Sequence, residues 1–143
     1  MKSNEKGQAL LELAVSLTVL LIMIAGVVDL GRMLFHYIAM RDAAQEAAAY
    51  GSINPTHCDQ IRDRAWIAMA NSPQVTVTTT IDGTDCAAAA SNPAKACYGK
   101  EIRVSLSDAA FPITMPFIGT FLGRQTVSLE AHITGTILRP ACQ

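Results

Sequence analysis

Residues 6–32 read KGQALLELAVSLTVLLIMIAGVVDLGR. Glu12 stands close to the start of an apolar run, and no charge follows it until Asp29. Between them, residues 13–28 form an uncharged stretch of about 24 Å at the 1.5 Å rise of an α-helix. A bilayer core is about 30 Å thick, so that stretch is short for a span. Ala9 to Val28 has the length needed, but it carries Glu12 into the membrane or to its edge. A carboxylate near the interface costs less than one at the midplane, where the penalty is about 3 kcal/mol. The stretch therefore reads as a single membrane-spanning helix with a misplaced acid, and that acid asks for an explanation.

The remaining composition narrows the class. The chain has 143 residues and a formal net charge of −1, too little positive charge to neutralise phosphates, so no nucleic-acid partner is expected. Lys2 and Lys6 precede the apolar run with Glu5 between them. This bias keeps the N-terminus cytoplasmic and sends everything beyond residue 28 outward. Cys58, Cys86, Cys97 and Cys142 all lie in the outward part. An even count in a short exported domain reads as two disulfides, with three possible pairings. Cys86 and Cys97 flank one loop, which favours pairing them with each other and leaves Cys58 with Cys142.

The helix is expected to run on past the span, from about residue 9 to 50, because no proline occurs before Pro55. Leu30, Leu34, Tyr37, Ile38, Ala44, Ala47 and Ala48 recur at helical spacing, and Gly51 offers a stop. Asp29 and Arg32 stand at i and i+3, where they can form an ion pair on the helix surface. Asn54-Pro55 reads as the start of a short second helix, with Cys58, Ile61, Ala65 and Ala68 on one face. Three alternating stretches follow as antiparallel strands: QVTVTTTID, EIRVSLS and TVSLEAHITGTIL. Residues 82–99 read as a loop. The expected fold class is α+β: a long transmembrane and spine helix, a short second helix and a small three-stranded antiparallel sheet. Residues 51–143 form its extracytoplasmic head.

Between the last two strands lies AAFPITMPFIGTFLGR. Pro112 and Pro116 make it poor regular structure. The preferred reading is a loop folded over the sheet edge or core. The other is an interaction patch of Phe111, Met115, Phe117, Ile118 and Phe121, with Ile113 and Leu122, that meets a neighbour or the membrane surface.

Glu12 is the fifth residue after Gly7. GQALLE ahead of a long apolar run resembles the processing site of type IV prepilins. A conventional signal peptide is cut after its apolar region, whereas this site precedes it. The start GQALLELAVSLTVLLIMIAGVVDLGR, followed by AAQEAAAYGS, is similar to TadE-like minor pilins (pseudopilins) of tight adherence systems. The resemblance covers residues 7–51, through a G-Q-A-x-x-E-x-A start, a V-D-x-G-R element and an alanine-rich helix. It implies a prepilin leader at residues 1–7, cleavage by a prepilin peptidase between Gly7 and Gln8, and a mature stem at residues 8–50. It also implies an assembly role for Glu12, paired with the free amine of a neighbouring subunit's Gln8. A buried ion pair of this kind would favour one axial register between subunits. The expected partners are the peptidase, other pilin subunits with their assembly machinery, and membrane lipid. The expected location is the bacterial cytoplasmic membrane, with passage to an extracellular pilus on assembly. The roles that follow are pilus assembly, surface adhesion and biofilm formation.

Other chemistry is set aside. His57-Cys58-Asp59 has no C-x-x-C or H-x-x-x-H beside it, so neither a metal nor a cofactor is expected. His36 and His132 read as surface residues. No catalytic set emerges, and the chain reads as a substrate of an enzyme rather than as one. The competing readings are an uncleaved signal-anchored protein with a ligand- or partner-binding outer domain, and a secreted domain cut near Ile24-Ala25-Gly26.

Overall fold

The computed structural model describes residues 4–70, 72–92, 94–115 and 123–141, with side chains from residue 7 onward. Helix α1 runs unbroken over Asn4–Ile53, about 75 Å of helix, so it outlasts the expected stop at Gly51. Gly51 is instead a packing residue. A Cβ there would overlap the Ile102 side chain and approach Ile61 Cδ1 to 3.1 Å. It continues an inward stripe of small or flexible side chains, Met40, Ala43, Ala44, Ala47 and Ala48, each no more than 2% exposed. Small residues on this face let the helix lie close against the sheet.

Asn54, Pro55 and Thr56 form a turn, and α2 spans Cys58–Ala68 with His57 at its N-cap position. The helix therefore starts about one turn later than the expected Asn54-Pro55. Ile61 and Ala65 are buried, whereas Ala68 is exposed and the C-cap residue Met69 is buried instead.

Strand β1 (Val75–Ile81) turns through Asp82-Gly83 into the two-residue β2 (Thr84–Asp85). Both turn residues have positive φ, 49° and 72°, as a two-residue hairpin turn requires. The stretch expected to be only loop thus supplies a short strand and a helix, α3 (Cys86–Ala90), capped by the Asp85 carboxylate accepting from the Ala87 N–H at 3.0 Å. Strands β3 (Glu101–Pro112) and β4 (Thr126–Thr136) complete an antiparallel sheet of order β2-β1-β3-β4, one strand more than expected. Ile102, Val104 and Leu106 face inward at 0% exposure, against the alanine face of α1.

The disulfide pattern departs from the favoured pairing. Cys58 bonds to Cys86, tying the first turn of α2 to the start of α3. Cys97 is also disulfide-bonded. Cys58–Cys86 excludes both pairs favoured above, and Cys142 lies outside the described residues. The reason is the short hairpin: the Asp82-Gly83 turn folds β2 back along β1 and starts α3 with Cys86 beside the first turn of α2.

Candidate functional site

Helix α1 has two unlike halves. Its apolar window is 0% buried against the rest of the chain. Gly7, Gln8 and Glu12 all lie on this bare half, and Gln8 and Glu12 are exposed. Among the described residues, a Cβ at Gly7 would meet nothing within 4 Å, so their packing does not require glycine there.

The second half meets the head along a zipper of polar contacts. β3 keeps its alternation past Leu106, which turns Asp108 inward at 1% exposure. A bulge follows between Asp108 and Phe111, opposite Leu129 and Val127 of β4. The extra residue reverses the parity of the strand. Phe111, rather than Ala110, therefore faces the stem, and Asp108 Oδ1 accepts from the Ala110 N–H at 3.1 Å inside the bulge. The chain then descends along α1 toward the apolar span. His36 Nε2 donates to Asp108 Oδ2 at 2.9 Å and its ring lies 5.0 Å from that of Phe111. The Arg32 guanidinium lies 5.8 Å from the Phe111 ring centre. One turn lower, the Asp29 carboxylate accepts from the Thr114 hydroxyl and the Met115 N–H. Arg32 Nη1 lies 3.4 Å from Asp29 and 3.3 Å from the Thr114 hydroxyl oxygen.

Asp29 is only 8% exposed, yet its charge is well answered. The Thr114 hydroxyl holds the carboxyl below its ordinary range, helped by the amides of Met115 and Thr114 and by Arg32, while burial acts in the opposite direction. Asp29 and Arg32 thus belong to a junction with the head that their sequence spacing alone did not show. Asp108 and Thr114 were not singled out in the sequence, although the 102-104-106-108 alternation marks Asp108 as inward. His36, read as a surface residue, is half-buried in the junction, because the head packs on that face of α1.

Of the apolar patch, Phe111 is buried against the stem and Met115 lies beside Gly26. Phe117, Ile118 and Phe121 lie outside the described residues. The structure does not bring Glu12 near this junction: it stands seventeen helical steps before Asp29, about 25 Å away. Among the described residues, no group of three or more His, Cys, Asp or Glu side chains is placed to hold a metal ion.

The class these features define is a stem-and-head protein, with one N-terminal helix long and apolar enough to cross a membrane and a small disulfide-bonded α+β head. Residues 7–49 match the family model described as TadE-like protein, so the similarity to that family lies in the stem. No curated protein and no solved structure matches the chain.

Proposed function

We propose that this chain is a minor pilin, or pseudopilin, of a tight adherence pilus, cut by a prepilin peptidase after Gly7. In this reading residues 8–50 are the mature stem and residues 51–143 the extracytoplasmic head. The protein serves pilus assembly and, through it, surface adhesion and biofilm formation. One observation carries the reading. Beyond the span, α1 turns Asp29, His36 and Met40 toward its own head and leaves an apolar stripe outside. Leu30, Leu34, Phe35 and Ile38 are 61%, 57%, 76% and 44% exposed. A stripe of that kind is normally covered by a partner. Ile38 lies ten residues beyond Val28, about 15 Å of helix, too far out for the bilayer core to cover. Neighbouring stems in a filament would cover it, and the same packing would offer Glu12 a partner from another subunit.

The test is the intact mass of the protein from membranes and from sheared filaments, with and without the peptidase. Loss of residues 1–7 is expected in both fractions when the peptidase is present. Full-length chain alone in both would overturn the reading and favour the uncleaved signal anchor. Glu12→Ala is expected to leave cleavage intact and lower filament incorporation; normal incorporation would remove Glu12 from the assembly contact.

A further inference from the structure

The lower end of the head reaches the depth of the membrane span. Thr114 and Met115 are pinned to Asp29, one residue beyond the Ala9–Val28 span. The Met115 side chain falls back further, with its Sδ 3.5 Å from where a Cβ on Gly26 would stand. Gly26 lies two residues inside the span, about 3 Å below its outer end. Met115 and Ile113 line a small, mostly apolar cleft of about 150 Å³ with Gly26, Leu30, Met33 and Phe111, and the clamped Asp29 carboxylate stands at its wall. The surface beside it is apolar, with Val27 and Leu30 71% and 61% exposed.

Backbone polar groups are tolerated at that depth only when they are satisfied within the protein. Here they are. The Ile113 N–H donates to the Gln125 carbonyl at 2.9 Å, and the Met115 N–H donates to Asp29. Met and Ile side chains over a satisfied backbone suit the boundary between headgroups and acyl chains.

We propose that Ile113 and Met115 form a second membrane contact, in which the foot of the head rests in the outer face of the bilayer and lipid fills the cleft beside Gly26. The occupant is lipid because the cleft is continuous with the lipid-facing surface of the span. The proposal rests on the single-span reading of α1. The contact would set the head at a fixed height and rotation on the membrane before assembly.

The test uses the full-length chain in phosphatidylcholine vesicles whose acyl chains are brominated at shallow or deep positions. Trp66 is the one tryptophan, so Trp66→Phe gives a silent background. Tryptophan is then placed singly at Met115, Ile113 or Ala14. Met115→Trp and Ile113→Trp are expected to lose at least half their emission to shallow bromines, and Ala14→Trp to deep ones. Trp66 in the unmodified chain should stay bright. If Ala14→Trp is quenched while both foot variants stay as bright as Trp66, the foot contact is wrong and the span stands. If Ala14→Trp also escapes, the span reading fails and this proposal with it. Blue-shifted emission at Met115→Trp that ignores bromine and depends on protein concentration would place a second copy in the cleft and overturn lipid. The Ile113 variant, checked for an intact Cys58–Cys86 bond, covers the case in which tryptophan at 115 disturbs the clamp.

Discussion

His36 Nε2 lies 2.9 Å from Asp108 Oδ2, so an imidazole on the stem closes on the one carboxylate that β3 turns into the head's interior. A carboxylate only accepts, so Nε2 carries the hydrogen. The pair has two jobs. It joins stem to head, and through Ala110 it holds the bulge that aims Phe111 at the stem.

Asp108→Asn keeps the shape and one acceptor for the Ala110 N–H, and its NH2 can donate to His36 Nε2 in the other tautomer, so stability should change little. Asp108→Ala and His36→Ala each leave a partner unsatisfied at a mostly buried site and should cost about 1–3 kcal/mol. Urea unfolding in detergent micelles measures both. The double variant should cost less than the sum of the two. His36→Ala within about 0.5 kcal/mol of the unchanged chain would show that the pair holds nothing.

The Asp29 clamp should resist acid. Its folded carboxyl is held below the ordinary value, so its contribution is fully present above the unfolded value of about 3.9 and is lost as pH falls through the lower folded value. The Met115 amide resonance, followed by NMR from pH 6 to 2, should shift with a midpoint below about 3.9. A midpoint at or above that value would contradict the clamp. Asp29→Asn should abolish the transition.

Two glycines of α1 should respond oppositely to alanine. At Gly51 a Cβ would overlap Ile102, so Gly51→Ala should cost about 1–3 kcal/mol. At Gly31 a Cβ meets nothing within 4 Å, so Gly31→Ala should be neutral or stabilise the subunit by up to about 1 kcal/mol. Thermal unfolding compares them. Equal effects would mean that the alanine face is not close-packed on β3.

Replacing both Cys58 and Cys86 with alanine should cost about 3–4 kcal/mol in the loop-entropy account, given their separation of 28 residues. Peptide mapping without reduction should recover Cys58 linked to Cys86. Recovery of Cys86 linked to Cys97 would restore the pairing that loop position favours.

The long helix, its span and the amphipathic strands were legible because each rests on local periodicity. Residues 9–28 can only be a helix in lipid, and the 102-104-106 alternation can only be a half-buried strand. The disulfide partner of Cys58 was not legible, because α3 is five residues long and its position depends on the Asp82-Gly83 turn. That dipeptide was the available signal. The side of α1 that meets the head was also hidden. Leu30, Leu34 and Ile38 recur as a packing face would, yet the head takes the opposite side, where Asp29 and His36 find partners on β3 and the turn beyond it.

The sequence by itself determined where the chain can cross a membrane, where Glu12 stands relative to Gly7, and that a small head follows. These depend on spacing along one segment. Tertiary structure decided which face of the stem is covered and which cysteines meet. It also decided how far down the stem the head reaches, because each of these depends on a bulge or turn that redirects distant residues.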